Sequence, residues 1–284
     1  MTDQPSTTPA TELREWDATS YHQVANPHVD WGRTVLERLP LRGDETVIDA
    51  GCGTGRLTEL LLERLPDGQV LAIDQSANML EEAKAHLTPS FGDQVSFRQA
   101  DLAELDVDQA ADAIFSTATF HWITDHRRLF QGLFRALKPG GWLVAQCGGG
   151  PNIAQLNRQA QIEMLGEPFA AHFGGWSGPW FFAGADDTAL RLHDTGFVDI
   201  DTHIIDAPVT LESESAFREF LATVVFGTHL KRLPTEKLKR EFIERLVTWS
   251  GEQNPQWRLD YWRLNIIALR PEDEGLSSPA QQPD

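Results

Sequence analysis

Lysine is nearly missing from this chain. Five residues (Lys84, Lys138, Lys231, Lys237 and Lys239) hold all of it, and arginine supplies the rest of the 24 basic side chains. Against 42 acidic residues they leave a formal charge of −18 over 284 residues. Such a charge repels phosphate backbones and anionic lipid, so nucleic-acid and membrane-surface partners are disfavoured. An acidic, lysine-poor surface suits a salt-rich cytosol, where counterions screen self-repulsion, and equally a GC-rich genome. Cysteine is scarce too: Cys52 and Cys147 alone build neither a disulfide scaffold nor a zinc site, and no metal is expected. They read as reduced thiols of a cytoplasmic protein. No apolar run reaches the roughly 18 residues of a membrane span. The opening MTDQPSTTPATELREWD lacks the basic-then-apolar order of a secretory signal.

The sequence does contain a regular alternation. ETVIDA (45–50), QVLAID (69–74), QVSFRQAD (94–101), ADAIFST (111–117) and WLVAQCG (142–148) read as buried strands. RLTELLLERL (56–65), SANMLEEAKAHL (76–87, with Ser76 as N-cap) and DHRRLFQGLFRAL (125–137, stopped by Pro139 and Gly140) read as helices. Strands alternating with helices over short loops predict a doubly wound parallel sheet covered on both faces. Right-handed crossovers put the carboxyl ends of those strands on one edge, where ligands bind. VDIDTHIIDAPV (198–209) and YWRLNIIALR (261–270) read as two more strands that extend the sheet as an antiparallel pair. The helical stretches around them then lie over the binding edge. Residues 1–12 and 271–284 read as loose tails. Residues 13–150 form the ligand-binding core with an N-terminal lid, and 151–270 carry the last strands and a helical, aromatic cap.

The chemistry concentrates in VIDAGCGTG (47–55), between a strand and a helix. A dinucleotide fingerprint, G-x-G-x-x-G, fails here because its sixth position is Arg56; the glycines stand at Gly51, Gly53 and Gly55. Asp49 precedes them. A carboxylate at that point opposes a pyrophosphate and suits a ligand bearing an ammonium and a sulfonium, which favours S-adenosylmethionine over NAD. Asp74, with Gln75 after it, ends the second strand, where an acid can accept both hydroxyls of a ribose. Asp101 ends the third and can take the exocyclic amine of an adenine, with Leu102 against the ring. Thr117 and Ala118 close the fourth strand with small side chains that leave room beside the ligand.

These residues, with the LKPGG turn (137–141), resemble class I S-adenosylmethionine-dependent methyltransferases over about residues 45–150. The resemblance implies a Rossmann-like, seven-stranded, mostly parallel sheet whose last strand is antiparallel. It implies that Asp49 and the glycines hold the methionine end of the cofactor, Asp74 its ribose and Asp101 its adenine. Two segments, WDATSYHQVANPH (16–28) and TFHWITDH (119–126), look like the trans-aconitate methyltransferase group and related small-molecule carboxyl methyltransferases. That resemblance implies that Tyr21, His22 and Gln23 close over the cofactor. His121 and Trp122 follow the fourth strand at the carboxyl edge of the sheet, where their side chains can reach the methyl acceptor. The chain departs from the group at Asn26, Pro27 and His28, where the group is basic, and at His121, where it carries Gln. The resemblance therefore carries the reaction class and not the tricarboxylic substrate.

The expected function is methyl transfer to a small molecule, with a carboxylate oxygen as acceptor. A hydroxyl or carbon acceptor on a quinone or natural product is the alternative, as is a cofactor-binding protein without turnover. GGWSGPWFF (174–182) reads either as an aromatic lid or as packing of the cap. FGTHLKR (226–232) reads as a solvated helix face.

Overall fold

The computed structural model describes residues 26–273. Helix α1 (Asn26–Leu36) leads into β1 (Thr46–Ala50), whose Val47, Ile48 and Ala50 are all buried. Burial on both faces is what a central parallel strand requires, and it explains why ETVIDA reads as a continuous apolar run. The chain then turns at Gly51, Gly53 and Gly55, with φ of 92°, 55° and 83°, a region costly for any side chain with a Cβ. There follow α2 (Arg56–Leu62), β2 (Gln69–Asp74), α3 (Ala77–Phe91), β3 (Val95–Gln99), β4 (Ala111–Thr117), α4 (His126–Ala136) and β5 (Leu137–Gly148). Ser76 caps α3 by accepting the Met79 N–H, and Asp125 caps α4 by accepting the Arg128 N–H.

Beyond β5 come α5 (Ala154–Leu165), α6 (Ala170–Phe173), α7 (Ala185–Thr195), β6 (Val198–Asp206) and β7 (Val209–Thr210). Next, α8 (Glu214–Phe220) runs on into a π-helical turn, Leu221–Val225. The described chain closes with α9 (Gly227–Leu230), α10 (Glu236–Gly251), β8 (Arg258–Leu259) and β9 (Trp262–Leu269).

Seven strands form one sheet in the order β3-β2-β1-β4-β5-β9-β6. The first five are parallel, and β9 runs antiparallel to both β5 and β6. This is the doubly wound, mostly parallel sheet that the sequence implied. The strand order reverses between β1 and β4, which opens a crevice at their carboxyl ends. Helices α1 to α3 pack one face through Val35, Leu61 and Leu80 against Val47, Phe115 and Val144. Helices α4 and α7 pack the other through Phe130 and Leu192 against Ile114 and Ile266. The cap has a core of its own, with Phe169, Phe217, Phe226 and Phe242 at its centre. It is assembled from two stretches, one before α7 and one between β6 and β9.

Among the boundaries that differ from the sequence reading, two sit at prolines. Helix α4 ends at Ala136, before Pro139, and β5 already begins at Leu137. The LKPGG turn lies inside that strand, where the register against β4 shifts between Ala111 and Ala113. A residue without an N–H is tolerated at such an irregularity. Likewise β6 ends at Asp206; Pro208 interrupts it, and the chain resumes as β7 paired with β8.

Candidate active site

The glycine turn is held from below. The N–H groups of Gly51 and Cys52 both donate to the Ile73 carbonyl, at 2.8 and 2.9 Å. Thr119 packs so closely on Gly51 that a Cβ there would collide with it, whereas a Cβ on Gly53 would meet nothing within 4 Å. Asp74 ties the turn to β2: its Oδ2 accepts the Gly53 N–H at 3.0 Å and its Oδ1 the Ser76 N–H at 2.9 Å. Asp49 lies beneath the turn, 2% exposed, and accepts the Thr58 hydroxyl at 2.7 Å. Burial, with Asp74 nearby, raises its carboxyl to about 7.

A cleft of about 500 Å³ opens over the carboxyl ends of the strands. Gly51, Gly53, Asp74, Gln75, Asp101, Leu102, Thr117, Ala118, His121 and Trp122 all line it. Asp49 and Gly55 do not; they shape the turn from behind. Tyr21, His22 and Gln23 lie outside the described residues. At the β2–β3 end the wall is acidic. Asp74, Asp101 and Glu104 line it, and Arg128 there is engaged by Glu104 at 2.8 Å and Asp125 at 3.7 Å. Asp101 also accepts the Ala103 N–H at 2.9 Å. Carboxylates at two strand ends and an open Gly53 fit ribose hydroxyls, an adenine amine and a cationic methionine end. They would repel a pyrophosphate.

The other end is aromatic. His121 is nearly buried, and its Nδ1 accepts the backbone N–H of Gly148 at 3.2 Å. That bond sets the neutral tautomer: the ring proton sits on Nε2, which is then a donor. The His121 carbonyl accepts the Phe181 N–H at 2.9 Å. The ring stacks on Phe182 at 5.8 Å and tilts on Trp122 at 5.3 Å. Trp180 stacks on Phe182 at 5.7 Å. Of the aromatic loop, then, Pro179, Trp180 and Phe182 wall the cleft, while Phe181 turns away onto His126 at 4.8 Å. Two non-glycine residues on the cleft wall, Ala118 and Ile153, adopt φ of 53° and 46°. Strain of this kind gathers at functional sites.

The sequence reading missed Asn152, Tyr261 and Arg263, which also line this end. Arg263 is 2% exposed, and its guanidinium lies 3.8 Å from the Trp31 ring centre and 4.7 Å from that of Tyr261. The available signal was a single arginine inside the apolar run YWRLNIIAL. His229 corrects the expectation of a solvated face. It is 1% exposed and ringed by Phe173, Trp176, Trp180 and Phe226. One turn of helix is too short for its sequence to show which face the cap covers. Burial raises both thiols, Cys147 to about 12, so they stay protonated. Among the described residues no group of three His, Cys, Asp or Glu could hold a metal ion. No described helix is long and apolar enough to cross a membrane.

Residues 47–141 match the profile of a methyltransferase domain family. The matched stretch is a methyltransferase domain, and the seven-stranded, mostly parallel sheet that holds it has the class I S-adenosylmethionine-dependent methyltransferase fold. Among curated proteins it is similar to the trans-aconitate 2-methyltransferases. It is 36% identical to that of Methylobacterium nodulans over 56% of this chain and 59% of the relative. With that of Azoarcus sp. (strain BH72) the identity is 40%, over 56% and 60%. The match thus spans less than two thirds of those relatives. The Deinococcus radiodurans protein of the same name is 29% identical over 90% of this chain and 99% of its own. Among solved structures, phosphoethanolamine N-methyltransferase 2 of Haemonchus contortus, bound to S-adenosylhomocysteine, superposes with a TM-score of 0.59. It is 19% identical and covers 90% of this chain and 57% of that one. YcgJ of Bacillus subtilis gives 0.60 at 16% identity, over 87% and 100%. These two show the shared fold.

Proposed function

We propose that the protein transfers a methyl group from S-adenosylmethionine to a carboxylate oxygen of a small molecule in the cytoplasm. The observation that carries this reading is the bond from the Gly148 N–H to His121 Nδ1. It occupies the one lone pair of the neutral imidazole and presents Nε2 as a donor at the acceptor end of the cleft. A donor suits an acceptor that is already an anion. A hydroxyl or amine acceptor gains from a base, which this tautomer is not. The names of the similar trans-aconitate 2-methyltransferases support the same class of acceptor.

The residues present fit the cofactor. Asp74 and Gln75 would hold the ribose, and Asp101 with Leu102 the adenine. Gly51, Gly53, Thr117 and Ala118 would border the methionine end, with the buried carboxyl of Asp49 behind them. The bound cofactor supplies an electrophilic methyl group on a sulfonium. The chain itself contributes alignment. His121 Nε2 donates to one carboxylate oxygen and so fixes the other, while Trp122, Trp180 and Phe182 exclude water around them. Holding two reactants in line is worth several kcal/mol, about 7–11 at the upper end.

Isotopically labelled methyl transfer to a panel of acids, phenols and amines tests the reading. A labelled product that releases methanol in alkali is an ester and supports it. Alkali-stable label, as in an ether, an N-methyl or a C-methyl product, overturns it.

A further inference from the structure

We infer that Asp260 is a positioning residue for methyl transfer: from just before β9 it caps helix α5, and so holds Asn152 and Ile153 in the wall of the cleft. The inference rests on the proposed methyl transfer and not on which atom accepts the methyl group. Helix α5 has no cap of its own. Its N-cap position is Ile153, whose side chain has no oxygen to offer the first N–H groups. Asp260, 105 residues from Gln155 in sequence, supplies that oxygen: its Oδ2 accepts the Gln155 N–H at 3.1 Å. The Ala154 N–H also stabilises this carboxylate. The Asp260 carbonyl accepts the Ile153 N–H at 2.9 Å. Two residues on, the Trp262 N–H donates to Asn152 Oδ1 at 2.9 Å.

What this cap holds is cleft wall. Ile153 is a β-branched residue in the left-handed region, with φ 46° and ψ 32°, and it is 3% exposed. Such a backbone persists only where its surroundings over-determine it. Here the bonds from Asp260 fall on Ile153 itself and on the first turn after it, and the bond from Trp262 falls on the residue before it. Asn152, Ile153, Tyr261 and Arg263 all line the cleft. Asp260 therefore sets two lining segments against each other, the entry to α5 and the entry to β9. A cap that served stability alone is built locally, by Ser, Thr, Asp or Asn at the N-cap. This chain instead places a strained isoleucine there, and that isoleucine borders the cleft. Moving a wall that orients a reactant by about 1 Å costs up to about 10²-fold in rate.

Asp260→Ala and Asp260→Asn test the role, since the asparagine keeps an oxygen for the Gln155 N–H. Each variant is read by calorimetry with S-adenosylhomocysteine, by hydrogen exchange of residues 152–157, and by labelled methyl transfer. The acceptor is the member of the panel of acids, phenols and amines that the parent methylates fastest. In the alanine variant exchange of 152–157 should quicken about tenfold. Its kcat/KM for the acceptor should fall about tenfold or more, chiefly in kcat, while S-adenosylhomocysteine affinity stays within about twofold. Asparagine should restore both exchange and transfer. A loosened segment with kcat unchanged is a merely structural cap and overturns the proposal. Unchanged exchange in the alanine variant overturns it too, as does an asparagine variant no better than alanine. Ile153→Ala leaves the Asp260 bonds in place and removes the wall they hold, so it keeps the test decisive if Asp260→Ala misfolds: its kcat should fall likewise, and an unchanged kcat overturns the role. The two readings fail separately. An alkali-stable product overturns the carboxylate acceptor and leaves the Asp260 readouts intact, whereas an alkali-labile ester formed by the alanine variant at the parent's kcat does the reverse. Transfer to no member of the panel overturns both.

Discussion

Asp74 Oδ2 accepts the Gly53 N–H at 3.0 Å, so the carboxylate that ends β2 also sets the position of the glycine turn after β1. One side chain therefore serves both the wall and the floor of the cleft. Asp74→Ala is expected to lower S-adenosylhomocysteine affinity by roughly ten- to a hundredfold, the worth of charge-assisted hydrogen bonds of about 1.5–3 kcal/mol. Calorimetry reads it directly. Unchanged affinity would remove Asp74 from the ribose site, and tight NAD binding with no response to either adenosyl ligand would sink the cofactor assignment.

His121 offers a sharper choice. If Nε2 orients an anionic oxygen, His121→Gln should retain turnover within about tenfold, because a glutamine amide also donates, whereas His121→Ala should lose far more. A general base contributes typically about 10²–10⁴-fold. A loss of that size in the glutamine variant, with cofactor affinity intact, makes the imidazole a base and the acceptor a hydroxyl.

Two buried groups tilt the stability curve in opposite senses. Burial raises the Asp49 carboxyl from 3.8 to about 7. Between those values the native state keeps a proton that the unfolded chain has lost, so this group lowers stability as pH rises toward 7. Asp49→Asn removes that loss. Its Tm should exceed that of the parent at pH 8, and the gap should close toward pH 4. A gap that stays constant across this range would show that Asp49 is ionised throughout.

Burial, with Arg232 nearby, lowers His229 from 6.5 to about 3. Below 6.5 the unfolded chain takes up a proton that the native ring refuses. Stability therefore falls as pH drops from 6.5 toward 3, by at most about 1.4 kcal/mol per pH unit. Nδ1 of this ring is buried without a hydrogen bond. His229→Phe should match or exceed the parent at pH 7 and outlast it increasingly at pH 5 and below, as read by urea midpoints. An equal acid slope in both proteins would contradict the neutral buried ring.

The charge of −18 predicts a salt effect of definite sign. Self-repulsion weakens the compact state, and salt shortens its range from about 10 Å at 0.1 M to about 3 Å at 1 M. Tm should rise between those concentrations of KCl. A flat or falling Tm would show that local ion pairs, such as Arg218 with Glu244 at 2.7 Å, outweigh the net charge.

The sequence by itself determined the sheet and the edge at which the cleft opens. Strand-to-helix alternation over short loops fixes a parallel order, and glycines at positive φ announce themselves because few other residues tolerate that backbone. Asp74 was legible because it ends the apolar strand β2, and Asp101 because it closes the segment QVSFRQAD, two residues beyond the end of β3. The aromatic end of the cleft was decided only by tertiary structure. Asn152 follows β5 and Arg263 lies on β9, more than a hundred residues apart, and no local pattern says that β9 inserts between β5 and β6. That insertion sets Arg263 opposite Gly148. The register also brings Gly148 to His121, and with it fixes which imidazole nitrogen carries the proton. Hydrogen-bond partners of this kind are chosen by strand pairing, a long-range property that a residue's neighbours in sequence do not encode.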